Sequence, residues 1–258
     1  MGLTTMRIYR LREPEYETDG ESSRANPCGL SGESGYLPRL SCPQCGVWSS
    51  SDRIVLDAPP RALDFDHQAL SPSLWGQMSQ QWEATLGLRP QTLTPGAYVG
   101  VPMGECWGPI MEDVIHPLPG VVWIKQGELL DDLLAQQFRG LSLARVHLVP
   151  AAEAPAEYFD DLEDDELPAA GMPTVADHDL PEMVELVPET YAGPVASSPR
   201  DRFCEDCGRR TGGRPMPPIS LEGSDFARSP GDVALYVSER VAEWVRTRGL
   251  SNVVAVKT

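Results

Sequence analysis

The chain has 258 residues, of which 41% are hydrophobic, so it can bury one elaborate core or two small ones. Its formal net charge is −17 at pH 7. The negative charge disfavours binding to nucleic acid and to anionic membranes, and it favours a basic partner or serves solubility alone. Because residues 1–10 contain no apolar signal segment and no stretch approaches the roughly 18 apolar residues of a membrane span, we expect neither secretion nor membrane binding.

The predicted elements begin with a strand over residues 6–11, where apolar and polar side chains alternate. A helix is predicted over residues 71–87, capped by a serine at position 71 or 73. Apolar side chains recur on it at four-residue steps and predict its buried face: Leu74, Met78, Trp82 and Leu86. Further along, a turn at residues 94–96 precedes an apolar run, and residues 121–124 predict a short buried strand.

A helix–strand pattern then occurs twice. Residues 128–138 predict a helix that ends in Arg-Gly-Leu-Ser at positions 139–142, followed by a strand over 143–149. Residues 238–247 predict a second helix that ends in the same four residues at 248–251, followed by a strand over 252–256. Gly suits the left-handed position after a helix, and the next Leu can fold back onto its last turn. The match indicates either a duplicated helix–strand unit or convergence on a favourable helix end.

The sequence Cys-x-x-Cys-Gly also occurs twice, at residues 42–46 (the first knuckle) and 204–208 (the second knuckle). Two thiolates three positions apart can face one metal ion, and the Gly lets the backbone turn back. Together the knuckles supply four sulfurs, which predicts a closed structural zinc site made by Cys42, Cys45, Cys204 and Cys207. Reduced cysteines in this spacing are typical of the cytoplasm, which we expect to be the location of the protein.

Other interpretations of the six cysteines stay open. One Cys-x-x-Cys pair alone could be a redox site, and the knuckles could instead form two unrelated disulfides. Cys28 and Cys106 have no spaced partner, so we expect small apolar residues or spare thiols there.

An acidic segment lies between the knuckles. Residues 151–190 hold 13 of the 38 carboxylates and no Lys or Arg. Aromatic residues inside its densest part favour a docking surface for a basic partner, although a flexible acidic loop whose aromatics pack onto the parent domain is the alternative. The candidate partner-binding residues are Tyr158, Phe159, Asp160, Asp161, Asp164, Asp165 and Glu166.

No catalytic motif is apparent in the sequence, and we do not expect an enzyme. The chain lacks a Gly-x-Ser-x-Gly elbow, a phosphate-binding Gly-Lys-Ser/Thr loop and a His-Glu-x-x-His helix. Glu112, Asp113 and His116 could form a small acid–base or metal cluster, but three polar residues before Pro117 are more typical of an ordinary loop.

The two knuckles, separated by well over a hundred residues in a chain of about this length, resemble those of the myxobacterial double-CxxCG motif proteins. The C-terminal run, from residue 237 through Gly249 to the last strand, is similar in style. The resemblance implies an immunity protein that neutralises a cognate polymorphic toxin delivered by neighbouring cells. It carries over the four cysteines and no toxin-contacting residue.

The toxin of this resemblance could be a basic nuclease, to which an acidic inhibitor would bind quickly. No direct contact with nucleic acid is then expected. The alternative is a zinc-ribbon protein associated with nucleic acid or transcription, favoured by arginines at 202, 209, 210 and 214 around the second knuckle and opposed by the net charge.

The predicted fold is α+β, with a mixed or antiparallel sheet and few helices, stapled by the four-cysteine site. Residues 1–50 and 201–258 would form a discontinuous core that carries the knuckles. Residues 51–150 would be an α+β insert packed on that core, and residues 151–200 an acidic, proline-rich excursion.

Overall fold

A computed structural model describes residues 7–12, 28–30, 35–49, 53–56, 68–90, 92–118, 120–151, 179–189, 193–194, 202–212, 219–221, 223–228, 234–250 and 252–258. Within these residues the protein is α+β, as predicted, with antiparallel and mixed sheets. Its helices are α1 (Pro72–Leu86), α2 (Glu128–Ala135) and α3 (Glu239–Arg248). Its strands are β1 (Ile8–Arg12), β2 (Cys28–Leu30), β3 (Leu40–Cys42), β4 (Gly46–Trp48), β5 (Arg53–Val55), β6 (Tyr98–Gly100), β7 (Met103–Cys106), β8 (Val114–Leu118), β9 (Val121–Lys125), β10 (Leu141–Pro150), β11 (Met183–Pro188), β12 (Gly193–Pro194), β13 (Arg202–Phe203), β14 (Arg210–Gly212), β15 (Ile219–Ser220), β16 (Phe226–Arg228), β17 (Leu235–Ser238) and β18 (Val254–Lys257).

The larger sheet has six strands in the order β2-β7-β10-β11-β9-β8. β10 pairs in parallel with β7 and antiparallel with β11, and the remaining pairs are antiparallel. β9 and β11 are nearly continuous apolar runs and mostly buried, as is typical of strands covered on both faces, whereas β10 alternates polar and apolar side chains and is largely only half-buried or exposed. The predicted strand at 121–124 is confirmed as part of β9, whose first four residues are buried.

The smaller sheet has four antiparallel strands in the order β16-β17-β1-β18. The predicted first strand is confirmed as β1, which lies between two strands from the C-terminal end of the chain. Its alternating pattern turns Tyr9 and Leu11 inward. This sheet, the larger sheet, α2 and α3 share the main hydrophobic core, which includes Ile124, Leu133, Leu186, Phe226, Val237, Val241 and Val245.

Helix α1 begins and ends as predicted, but its buried face differs. Ser71 Oγ accepts a hydrogen bond from Leu74 N at 3.4 Å, and Gly87 ends the helix with a φ of 67°. Leu74 is exposed, whereas Trp75 and Trp82 are buried with ring centroids 5.8 Å apart. Four residues along a helix turn by about 400°, so side chains at successive four-residue steps drift around it. A seven-residue step, such as that from Trp75 to Trp82, returns close to the starting direction.

The two predicted helix–strand units have different surroundings. The second has its Ser238 N-cap and ends at Gly249 with a φ of 63°, as predicted. The first helix ends at Ala135, before the predicted residue 138, and Gly140 lies in the following turn. Their strands also differ in place, since β10 is central in the larger sheet and β18 is an edge of the smaller one. The described units share an order of elements, and a duplication stays a prediction.

The segment predicted as an acidic excursion contributes to the core. Residues 183–188 form β11, which lies between β10 and β9, and its first four side chains are buried. The apolar run Met-Val-Glu-Leu-Val at 183–187 has the composition of a buried strand, so this part of the predicted excursion packs in the larger sheet. The domain limits at residues 50, 150 and 200 stay predictions.

A buried ion cluster connects both sheets with the β5–β6 pair. Glu185 of β11 is fully buried, and Arg53 of β5 donates to its two carboxylate oxygens at 2.9 and 2.7 Å. Trp123 Nε1 donates to the same carboxylate at 3.1 Å, and Arg228 Nη2 of β16 lies 3.7 Å from it. The Arg53 guanidinium also lies over the ring of Tyr98, 4.2 Å from its centroid. One carboxylate therefore connects side chains from three sheets.

Candidate metal centre

The first knuckle is the turn of a short hairpin made by β3 and β4. Cys42 is the last residue of β3 and pairs with Gly46, the first residue of β4. Gly46 has a φ of 72°, a left-handed conformation that side chains with a Cβ rarely adopt. A Cβ at this position would meet no atom within 4 Å, so the backbone angle alone accounts for the glycine.

The second knuckle repeats this construction between β13 and β14. Cys204 N donates to Arg209 O and Gly208 N donates to Cys204 O, each at 2.8 Å, which closes the turn. Gly208 has a φ of 69°, and a Cβ there would again meet nothing within 4 Å. Both Cys-x-x-Cys-Gly motifs therefore form glycine-closed turns, as their sequences predict.

The two hairpins bring all four cysteines together, although 162 positions separate the matching residues of the two knuckles. The Sγ atoms of Cys42 and Cys204 are 3.7 Å apart, and those of Cys45 and Cys207 are 3.8 Å apart. A metal ion bound tetrahedrally by four sulfurs at about 2.3 Å requires sulfur–sulfur separations of about 3.8 Å. The four thiols are therefore spaced so that they could hold one metal ion, and the predicted clustering of the four cysteines is confirmed.

An apolar shell encloses the inner half of this cluster. Cys42 and Cys204 are buried, and the residues packed around them come from β3 and the segment before it, β5, α1, β6 and the loop before β6. Cys45 and Cys207 are partly exposed, and the adjoining Trp48 ring lies under the Arg209 guanidinium at 5.6 Å. The shell includes Leu37, Leu40, Ile54, Trp75, Trp82, Leu93, Ala97 and Val99.

The thiols of Cys45, Cys204 and Cys207 differ in their pKa values. The hydrogen bond to Cys204, followed by burial, raises the pKa of Cys45 to about 12. Burial also raises the pKa of the Cys207 thiol. At Cys204 burial acts in the same direction, but hydrogen bonds from the backbone of Cys207 and Asp206 and from Cys45 outweigh it and lower the pKa to about 7. One sulfur thus readily becomes an anion, whereas at least two others keep their protons until a cation displaces them.

This ligand set supports a structural role more than a catalytic one. Catalytic metal sites keep one coordination position open for water or substrate, and four sulfurs fill all positions of a tetrahedral site. Among the residues that the structure describes, this cluster is the group of three or more potential ligands that could hold a metal ion.

Cys28 and Cys106 form a disulfide, which corrects the expectation of spare thiols. The two residues face each other on the antiparallel strands β2 and β7, and both are buried. Their separation of 78 positions gave no indication of pairing, because only the order of strands in the sheet brings them together.

The possible cluster of Glu112, Asp113 and His116 has a different setting from the predicted loop. His116 is a buried residue of β8, and burial lowers its pKa to about 4, so it is neutral at physiological pH. Asp113 is exposed and Glu112 is partly exposed. The proposed partner-binding residues at 158–161 and 164–166 lie outside the described residues.

Comparison with protein-family models, curated proteins and solved structures finds no match to this chain. None of the helices in the described part of the chain combines the length and apolarity needed to cross a membrane.

Proposed function

We propose that the four-cysteine cluster binds one structural zinc ion and that the protein is an immunity protein, which binds and neutralises a cognate polymorphic toxin. The observation that carries this proposal is the convergence of the two knuckles into one closed cluster, since these are the residues on which the family resemblance rests. A closed zinc site suits a protein that acts by presenting a rigid surface, because it stabilises a fold without offering a reactive position.

The charge of the chain supports a basic partner. A net charge of −17 attracts a cationic surface and accelerates its association, whereas it repels phosphate backbones. A toxin domain with a basic substrate groove, such as a nuclease, has the complementary charge. We place part of the contact in the acidic segment from Tyr158 to Glu166.

A zinc-ribbon protein that binds nucleic acid is the second candidate, and Arg209 favours it. This arginine is exposed beside the cysteine cluster, and a guanidinium stacked on Trp48 could present a flat cationic surface to a base. The overall charge opposes this candidate, because phosphates bind to clustered Lys and Arg.

Protection of cells tests the proposed function. The C-terminal toxin domain encoded by the gene immediately upstream is expressed with and without this protein, and both are then purified. Rescue of growth together with a co-purifying complex is the expected result. Toxicity without rescue, or no toxicity, contradicts the proposal, and salt-dependent binding of DNA or RNA would then support the second candidate.

Reversing charges at residues 161, 164 and 165 should weaken protection more than the same change elsewhere in the acidic segment. We expect the triple change Asp161→Lys, Asp164→Lys and Asp165→Lys to slow association with the toxin by roughly tenfold or more, because it removes electrostatic attraction. Stopped-flow association at low and high salt measures this effect. The matched control is Asp177→Lys, Asp179→Lys and Glu189→Lys, which adds the same charge elsewhere. Equal rates for both triple variants would show that residues 158–166 are not the docking surface.

Zinc affinity should fall as the pH falls. Zinc binding displaces the protons of Cys45, with a pKa of about 12, and of Cys207, whose pKa is also raised, so at least two protons leave near pH 7. Linkage then gives a change in affinity of at least about a hundredfold per pH unit. Competition with a chromophoric chelator at pH 6, 7 and 8 measures the slope, and a slope below tenfold per pH unit contradicts displacement of two protons.

A further inference from the structure

The cysteine cluster has a second property, which concerns the pairing of its sulfurs. The two close sulfur–sulfur contacts of 3.7 and 3.8 Å both run between the hairpins, from Cys42 to Cys204 and from Cys45 to Cys207. These two contacts join first cysteine to first and second to second, within a cluster whose four sulfur atoms all lie within 4.8 Å of one another and in which Cys45 also contacts Cys204. Formation of disulfides along these contacts would therefore keep the two hairpins joined.

The two contacts differ in their access to solvent. Cys42 and Cys204 are buried, with 2% and 6% of their surface exposed, whereas Cys45 and Cys207 are both partly exposed. An oxidant from solution therefore reaches the outer pair, Cys45 and Cys207, before the inner pair. Cys28 and Cys106 already form a buried disulfide elsewhere, so the cluster holds the four free thiols of the chain.

We propose that the cluster is a redox-sensitive zinc site, in which a peroxide releases the metal and converts the four thiolates into two disulfides between the hairpins, Cys45–Cys207 first and Cys42–Cys204 second. This regulation rests on the proposed binding of zinc. The metal ion and the disulfides are alternative cross-links between the same two hairpins. Oxidation would thus release zinc without separating them.

The chemistry balances with hydrogen peroxide as the oxidant. A thiolate of the outer pair attacks one peroxide oxygen, which breaks the O–O bond, forms a sulfenic acid and releases hydroxide. The partner sulfur then attacks that sulfenic sulfur, so that an S–S bond forms and a second water or hydroxide leaves. Each disulfide transfers two electrons to one peroxide. In total, the tetrathiolate–zinc complex, two H₂O₂ and four protons give two disulfides, four waters and one Zn²⁺.

Loss of the outer pair should be sufficient to release the metal. The first disulfide removes two of four ligands and leaves only the inner sulfurs, which is too few for a stable structural zinc site. We therefore expect one zinc per chain to leave with the first equivalent of peroxide consumed. The second equivalent should change the thiol count without further release of zinc.

Titration of the zinc-loaded full chain with H₂O₂ tests this order. Zinc release is followed with a chromophoric chelator, and free thiols are alkylated at each step before peptide mapping without reduction. After one equivalent, we expect Cys45 and Cys207 to be cross-linked and Cys42 and Cys204 to be alkylated. Disulfides within each knuckle, or sulfinic and sulfonic acids without cross-linking, would overturn the proposal.

Two double variants provide matched controls. Cys42→Ser with Cys204→Ser keeps the outer pair, and Cys204→Ser with Cys207→Ser keeps the two cysteines of the first knuckle, one inner and one outer. We expect the first to cross-link at least about tenfold faster, and equal rates would contradict the inferred pairing. If the variants do not fold, the alkylation pattern of the natural chain still decides. Purified protein without zinc would refute the zinc site itself, whereas zinc-loaded protein that oxidises within the knuckles refutes only this inference.

Discussion

Cys45→Ser should abolish stable zinc binding and strongly destabilise the whole protein. The change removes one of four ligands while keeping the size of the side chain. Structural zinc contributes roughly 10–16 kcal/mol of apparent binding free energy in small peptides, comparable to the whole net stability of a domain. We expect a loss of at least about 4 kcal/mol, or a melting temperature lower by roughly 10 °C or more.

The reason for so large an effect is the position of the cluster. It joins two hairpins that lie 162 positions apart, and its sulfurs form part of a core that includes α1 and the β5–β6 pair. Without the metal, the raised pKa values of Cys45 and Cys207 keep these thiols protonated, and hydrogen bonds between thiols replace the metal bonds.

Calorimetry of the purified variant measures its melting temperature, and metal analysis measures its zinc content. Glu205→Gln is the matched control, because Glu205 is an exposed residue of the second knuckle and not a sulfur ligand. It should keep one zinc and an unchanged melting temperature. If Cys45→Ser cannot be purified, removal of zinc from the natural chain by a chelator replaces it. A Cys45→Ser protein with full metal content and unchanged melting temperature would refute the structural zinc.

Glu185→Gln should produce the second large loss of stability. Glu185 is fully buried and lies within reach of two guanidiniums, those of Arg53 and Arg228. Gln keeps the shape but removes the negative charge, so the buried Arg53 guanidinium loses its ion-pair partner and Arg228 loses a negative charge 3.7 Å away. Breaking a buried ion pair by removing one partner costs about 3–5 kcal/mol, because an uncompensated charge remains inside the protein.

The same strand region offers a matched control for this change. Glu182 also pairs with an arginine, Arg145, at 3.3 Å, but both side chains are mostly exposed. Glu182→Gln should therefore change stability by less than about 0.5 kcal/mol. Urea unfolding of the natural chain, Glu185→Gln and Glu182→Gln compares their free energies of unfolding directly, provided that the dependence of this free energy on urea concentration is the same for all three. Equal stability of Glu185→Gln and Glu182→Gln would show that the buried cluster does not hold the sheets together.

The sequence predicts helix ends, because their signals are local, and the cysteine cluster, because several residues can bind one ion. Ser71 and Ser238 mark helix starts and Gly87 and Gly249 mark helix ends, since each satisfies backbone groups of its own turn. The four cysteines could be grouped across 162 positions because thiolates in two knuckles of the same spacing can bind one metal ion together.

Other features depend on tertiary contacts that no local sequence pattern indicates. The exposed Leu74 and the buried Trp75 are adjacent, and only the packing of α1 against the first hairpin decides between them. The pairing of Cys28 with Cys106 follows from the order of strands in the larger sheet. Glu185 did leave a signal, a single carboxylate within the apolar run at 183–187, which should have indicated a buried strand with a charged partner.

The most direct test of the zinc staple is X-ray absorption at the zinc edge, combined with the metal content of the purified chain. We predict one zinc per chain, bound by four sulfurs at about 2.3 Å with no nitrogen or oxygen ligand. Metal-free protein that is fully folded, iron in place of zinc, or zinc bound by fewer than four sulfurs would contradict a closed structural zinc site at Cys42, Cys45, Cys204 and Cys207.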